Sequence, residues 1–270
     1  MSELTTTLDR DIVIEIGDVP VRVRTGDSTF LHLLEKRYTG FVSPRSHAEF
    51  EFDLDLTPPG NVGADDDVRV LQQSGRWSLK RGDFHAEWDS ASKSGNIRQS
   101  ANPYSIDSIL RIIHTLVLSK QGGFLVHAAS AVRNGRAFLF AGVSGAGKTT
   151  IARLAPGNAT LLTDEVSYVR EQDGGYSAFG TPFTGELAKV GDNIRAPIAA
   201  LYLLAKGPEN RIEPLAHPQA IRALLANILF FAEDAELVKL VFASACQFVS
   251  RVPVYRLTFV PDIRVWEMIA

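Results

Sequence analysis

The sequence predicts a mixed α/β fold with a strand-rich N-terminal part, and three observations carry that prediction. Residues 11–24 and 48–56 alternate apolar and polar side chains, the two-residue period of a half-buried strand. Residues 104–119, 217–231 and 234–250 repeat their apolar residues at helical spacing. Between them, residues 124–155 run as apolar segment, Asn-Gly, apolar segment, glycine-rich turn and helix-like segment. Asn-Gly between two apolar runs is a strong hairpin signal.

The elements follow in order. DIVIEIGDVPVRVR (11–24) alternates on both sides of Gly-Asp and predicts a β-hairpin. Residues 28–38 predict a short helix, and AEFEFDLDL (48–56) a strand. TPPGNVGADDD (57–67) reads as a loop with a solvated acidic tip, followed by strands at 68–73, 76–80 and 83–88. YSIDSILRIIHTLVLS (104–119) places Ile106, Ile109, Leu110, Ile113 and Leu116 or Val117 on one helical face, and Gln121-Gly122-Gly123 ends it. FLVHAASAV and RAFLFAG flank Asn134-Gly135, and the second strand feeds the glycine-rich turn. Lys148–Ala155 starts a helix that Pro156-Gly157-Asn158 stops early. ATLLTDEVSYVR is a strand carrying an acidic pair, and 176–186 are short strand and loop. PIAALYLLAK (197–206) and VPVYRLTFV (252–260) read as strands, and DIRVWEMIA closes the chain as a short helix. The expected organisation is a β-rich subdomain over 1–103, assigned to substrate recognition, and a phosphate-loop domain over 104–270.

Length and composition bound the rest. A chain of 270 residues with 45% hydrophobic content can build one large core or two small ones. A net charge of −3 gives no reason to expect a nucleic-acid or membrane partner. Residues 1–100 hold 12 Lys+Arg against 17 Asp+Glu, a net of −5, and residues 101–270 hold 16 against 14, a net of +2. The acidic excess therefore lies away from the glycine-rich turn. One cysteine, Cys246, excludes an intrachain disulfide and fits a reducing cytosol; its apolar surroundings predict a buried, inert thiol. The polar N-terminus lacks a signal-peptide core, and no run approaches the ~20 apolar residues of a membrane span. The expectation is a soluble, cytoplasmic chain.

Gly142-Val143-Ser144-Gly145-Ala146-Gly147-Lys148-Thr149 fits G-x-x-x-x-G-K-[ST] in full. Glycines let the backbone curl so that several N–H groups face one anion, and the start of the following helix adds partial positive charge. The loop predicts ATP as ligand, held by Gly142, Ser144, Gly145, Ala146, Gly147, Lys148, Thr149 and Thr150. Lys148 is expected to reach the β/γ-phosphates and the Thr149 hydroxyl to ligate Mg²⁺.

Asp164-Glu165 follows Lys148 by only 16 residues, room for one short helix and one strand. That puts both carboxylates on the next strand, beside the loop. One can orient Mg²⁺, and the other can accept a proton from an attacking hydroxyl. If the two strands pair about Asn134-Gly135, residues whose numbers sum to 269 face each other, so His127 stands opposite Gly142.

With these residues in place, the stretch from Gly123 to Glu186 resembles the kinase domain of the HPr kinase/phosphorylase family. It more closely resembles the HPr-kinase-related serine kinases, including those associated with lasso-peptide biosynthesis. The matching elements are GGFLVHAASAV, the Asn-Gly hairpin, GVSGAGKTT, LLTDE and GTPFTGE. The resemblance implies a phosphoenolpyruvate-carboxykinase-like P-loop core, mixed and largely antiparallel. It implies phosphoryl transfer from ATP, with Mg²⁺, to a serine hydroxyl of a peptide or protein. By position His127 matches the family's active-site histidine, and Asp164 and Glu165 its acidic pair. On that analogy Glu165 is the base and Asp164 the metal-side acid, an order that could also be reversed. Glu186 stands as a further metal or substrate contact, giving Thr149, Asp164 and Glu186 as the metal set. The chain departs from the family in having Glu as second acid and in lacking the long Leu-Glu-Ile-Arg-Gly-type signature. HPr as substrate and a reverse phosphorylase reaction are therefore unsupported. The HPr enzymes form hexamers, and no residue here fixes an oligomeric state.

Arg195 is a candidate for steadying transferred phosphate charge, though a lone arginine more often lies on the surface. Trp77 and Trp88 read as packing, and His217 beside Pro218 as a helix start. No Cys/His set has zinc spacing. The rival readings are an ATPase or nucleotide-gated switch, in which Glu165 activates water, a small-molecule kinase, and a catalytically weak nucleotide-binding platform.

Overall fold

The computed structural model describes residues 10–59 and 67–269. It is mixed α/β, with two mixed sheets and, among the described residues, five α-helices. The polar N-terminus and most of the acidic loop at 57–67 lie outside the described residues. The chain divides into two compact units, one running to Leu110 with Phe231–Glu233, the other holding Arg111–Phe230 and the chain from Asp234 on.

The first unit is a seven-stranded sheet. β1 (Asp11–Ile16) and β2 (Val19–Arg24) form the expected hairpin about Gly17 and Asp18, both at positive φ. α1 (Ser28–Arg37) is capped by the Asp27 carboxylate, which accepts from the Phe30 amide. β3 (Phe50–Leu56), β4 (Arg69–Gln73), β5 (Arg76–Arg81), β6 (Phe84–Asp89) and β7 (Ser94–Gln99) complete the order β1-β2-β3-β7-β6-β5-β4. β7, SGNIRQ, has too little apolar alternation to read as a strand in sequence; Ile97 is its one buried hydrophobic residue. The alternation elsewhere has the expected meaning. Val21, Val23, Phe50, Phe52 and Leu54 are buried, while Arg24 and Glu51 pair at 2.5 Å on the other face. Trp77 and Trp88 face each other across β5 and β6 and stack at 6.0 Å, both buried, as packing residues do.

The division between the units falls within α2 (Pro103–Lys120), after Leu110. Ile106, Ile109, Leu110, Ile113 and Leu116 are all buried, the stripe the sequence predicts.

The second unit is built on β8 (Phe124–Arg133) and β9 (Arg136–Ala141), joined by Asn134-Gly135. Their register runs from Ala128↔Ala141 to Arg133↔Arg136, which is the predicted sum of 269. α3 (Lys148–Arg153) ends early, as expected. β10 (Ala159–Thr163) and β11 (Val166–Gln172) both pair antiparallel with β8, interrupted at Asp164-Glu165. β12 (Gly175–Phe179) leads on to β13 (Arg195–Lys206), which runs parallel to β9 and to β16 (Val254–Phe259). The other pairings are antiparallel, including β14 (Arg211–Pro214), unmarked in the sequence, on β16. One helix face of the sheet carries α4 (His217–Leu225) and α5 (Ala235–Arg251) on a core with Phe124, Val126 and Leu139. The other carries Ile151 of α3 with Phe138, Phe140 and Trp266, the last on a short 3₁₀ turn at Ile263–Glu267.

Two expectations need correcting. Residues 217–231 are not one helix: α4 stops at Leu225, and β15 (Ile228–Leu229) pairs with β8. The cause is tertiary. β9 pairs only with residues 128–133 of β8, because the chain leaves at Gly142 for the glycine-rich turn. The vacated edge at 125–126 needs partners, and β15 supplies them. Cys246 is half-buried on α5 rather than buried. Among the described residues no helix is long and apolar enough to cross a membrane.

Candidate active site

The glycine-rich turn leaves β9 at Ala141 and closes on α3. Gly147 sits at φ +109°, and a Cβ there would lie 2.7 Å from the Phe259 ring. Both the left-handed backbone and the close ring require glycine. The Ala146 amide donates to Val143 O at 3.0 Å. The N–H groups of Ser144, Gly145, Gly147, Lys148 and Thr149 donate to no backbone carbonyl among the described residues. Val143, Ser144 and Gly145 are exposed, Gly142, Gly147, Thr149 and Thr150 half-buried, and Ala146 buried. α3 has only six residues, so its dipole adds little; the amides without backbone acceptors and Lys148 are the groups that would hold an anion.

Lys148 is 8% exposed. Its Nζ folds back on the turn, donating to Gly142 O at 2.9 Å and Val143 O at 3.4 Å. Burial pushes its pKa down, while Glu165 and Glu186 pull it up. An ammonium held only by neutral carbonyls is ready to exchange them for phosphate oxygens, which carry full charge.

The two carboxylates behind the turn differ. Thr163 accepts at Oγ1 from the Glu165 and Val166 amides and donates to Phe183 O at 3.3 Å. That bend interrupts the strand and points successive side chains into different surroundings. Asp164 is 1% exposed, and each of its oxygens accepts a backbone N–H at 2.8 Å, from Gly185 and from Leu187. Glu165 is half-buried, with Oε1 3.5 Å from His127 Nε2. His127 first, and Arg111 and Lys148 after it, hold the Glu165 carboxyl below the usual range against the opposing effect of burial. His127 is also placed by its backbone, which donates to Asn227 O at 2.7 Å just where β15 replaces β9.

The structure thus brings His127, Lys148, Asp164 and Glu165 to one end of the second unit, with Glu186 exposed on the loop after Gly185 and near enough to Lys148 to shift it. Arg195 opens β13 opposite Phe179, eight residues before Leu203, which pairs with Ala141 at the turn. His217 is exposed at the start of α4. Arg111, with its guanidinium 4.9 Å from the Phe183 ring centroid, is the group that sequence reasoning passed over. Its signal was present: it is the one arginine or lysine between Tyr104 and Lys120.

The donor chemistry fits a nucleotide with a hard divalent cation. Five undonated amides and a lysine suit phosphate oxygens, and Thr149 with a neighbouring carboxylate suits Mg²⁺. Among the described residues no three His, Cys, Asp or Glu side chains are grouped to hold a metal, so Mg²⁺ here would need phosphate oxygens as well.

Fold and site together define a mixed α/β protein in which a strand–glycine turn–helix junction leaves a largely antiparallel sheet beside a carboxylate–histidine pair. The chain belongs to the family described as SynChlorMet cassette protein ScmC, whose model matches residues 98–270. No curated protein matches the chain. Among solved structures, the Hpr(Ser) kinase/phosphatase from Coxiella burnetii is similar over 54% of this chain and 85% of that one, at 13% identity and a TM-score of 0.29.

Proposed function

We propose that the chain is a phosphotransferase that moves the γ-phosphate of ATP to a hydroxyl, that of a serine in a peptide or protein. The observation that carries this reading is the Glu165 carboxylate. It stays ionised beside His127, is partly open to solvent, and lies within the electrostatic reach of Lys148 at the turn.

The turn amides and Lys148 hold the β- and γ-phosphates. Thr149 and a carboxylate, either Asp164 or Glu186, would hold Mg²⁺, which would neutralise phosphate charge. Glu165 accepts the proton of the incoming hydroxyl while its oxygen bonds to the γ-phosphorus. The bond from that phosphorus to the β,γ-bridging oxygen breaks, and ADP leaves. His127 steadies the charge on Glu165, and Arg111 adds positive charge on the same carboxylate. The acidic N-terminal unit favours a basic or neutral partner.

The same partial exposure of Glu165 supports a second reading, an ATPase in which that carboxylate activates water. One experiment separates the two. γ-Labelled ATP, Mg²⁺ and a soluble cell extract are incubated with the wild type or with Lys148→Ala, and the label is sorted into inorganic phosphate, small molecules and protein. Lys148-dependent label on protein supports the serine-kinase reading, and label on a metabolite a small-molecule kinase. Label found only as free phosphate, unchanged by extract, selects the ATPase.

A further inference from the structure

The two acids look interchangeable in sequence, and the structure separates them. Asp164 Oδ1 accepts from Gly185 N and Oδ2 from Leu187 N, so both oxygens are engaged and the side chain is buried. Gly185 is pressed against the pair: a Cβ there would lie 2.8 Å from Glu165 Oε2 and 2.9 Å from Asp164 Oδ2. Thr163 holds Phe183 O from the same strand end. Ala188 N donates to Gly185 O at 3.0 Å and closes a four-residue turn with Glu186 and Leu187 at its centre. The backbone on both sides of Glu186 is therefore tied to one carboxylate.

We propose that Asp164 is a positioning residue that fixes the 183–188 loop and with it the backbone on both sides of Glu186, rather than a metal ligand. Two charge-assisted N–H bonds to a buried carboxylate are among the stronger hydrogen bonds a loop can have. A metal at Asp164 would compete with both. Glu186 is exposed and acts electrostatically on Lys148. Of the two carboxylates named above for Mg²⁺, this leaves Glu186. That consequence rests on the phosphotransferase reading, whereas the loop clamp does not.

The test uses the full chain and two readouts. Hydrogen exchange is measured on the nucleotide-free protein. Mn²⁺ binding is followed by its paramagnetic resonance in the presence of a non-hydrolysable ATP analogue. In the wild type the Gly185 and Leu187 amides are protected. Asp164→Asn removes one acceptor and places an NH₂ against an amide, so protection at these two positions falls about tenfold or more. Glu186→Gln keeps that protection and weakens Mn²⁺ binding about tenfold. Because Asp164 acts through Glu186, the double variant weakens Mn²⁺ no further than Glu186→Gln alone.

Unprotected Gly185 and Leu187 amides in the wild type would overturn the clamp, as would full protection in Asp164→Asn. Additive losses of Mn²⁺ affinity, or no loss in Glu186→Gln, would return the metal to Asp164. A wild type that binds neither Mn²⁺ nor the analogue refutes the phosphotransferase reading and the role given to Glu186. The exchange data still decide the clamp in that case.

Discussion

Two loops border Glu165, and they are built on opposite plans. Between Gly142 and Thr149 the amides of Ser144, Gly145, Gly147, Lys148 and Thr149 have no backbone acceptor among the described residues, Val143 is 78% exposed, and the lysine is parked on the loop's own carbonyls. In residues 181–188 the chain is held at alternate residues. Thr181 is tied to Leu162 and Val166, Phe183 to Thr163, and Gly185 and Leu187 to Asp164. The first loop leaves hydrogen-bonding capacity unused, and the second uses its own to hold shape. On the phosphotransferase reading proposed above, a rigid loop beside an unsatisfied one would position charge without reorganisation during transfer.

The largest expected effect is on the unsatisfied side. Lys148→Ala should lower ATP-dependent transfer by about 10²-fold or more, with unfolding by denaturant little changed, since the lysine bonds only neutral carbonyls. A comparable loss of stability would mean that this loop, too, is held by its own contacts.

Glycine replacements sharpen the contrast. Gly185→Ala adds a methyl against two carboxylates, and overpacking of this kind costs about 1–3 kcal/mol. Gly145→Ala meets nothing within 4 Å but must keep φ +74°, a strain of about 1 kcal/mol. Urea titrations of the two variants should rank them in that order. The reverse order would place the tighter packing in the glycine-rich loop.

A smaller effect concerns proton transfer. His127 and Arg111 both hold the Glu165 carboxyl low, His127 the more. Removing either raises that pKa, so the acidic limb of the pH–rate profile moves to higher pH, further for His127→Ala than for Arg111→Gln. An unmoved limb in both would take the titration away from Glu165.

The smallest effect at neutral pH lies behind both loops. His114 is wholly buried on α2 against Tyr168, neither ring nitrogen has a hydrogen-bond partner among the described residues, and burial drives its pKa down to about 3. The folded state thus binds a proton less readily than the unfolded chain. Stability from this group is intact above pH 6.5 and is lost as pH falls from there towards 3, by up to about 1 kcal/mol per pH unit. His114→Leu should flatten that acid slope in thermal unfolding between pH 6.5 and 4. An unchanged slope would assign acid sensitivity to other groups.

How legible all this was in the sequence depended on whether the cause was local. Asn134-Gly135 dictates its own turn and therefore the β8–β9 register, although the ladder ends at Ala128↔Ala141, one residue short of the expected pairing of His127 with Gly142. The glycine pattern dictates its own curl. The end of α4 was not local: nothing within 217–231 announces that the edge of β8 has been vacated and needs a partner. Asp164 and Glu165 could be seen as a pair but not told apart, because their difference comes from amides some twenty residues on. Arg111 was hidden differently, as the polar exception in a helix read for its apolar stripe.

The short strand at Ile228–Leu229 has one more consequence. It is the only cover, among the described residues, for the backbone of β8 at Leu125 and Val126 on the side that β9 leaves. A chain nicked or shortened between α4 and α5 would bare an apolar border, since both residues are fully buried. Exposed borders of this kind recruit matching strands from other copies. Protease damage at that one connection should therefore show itself first as self-association rather than as loss of helix.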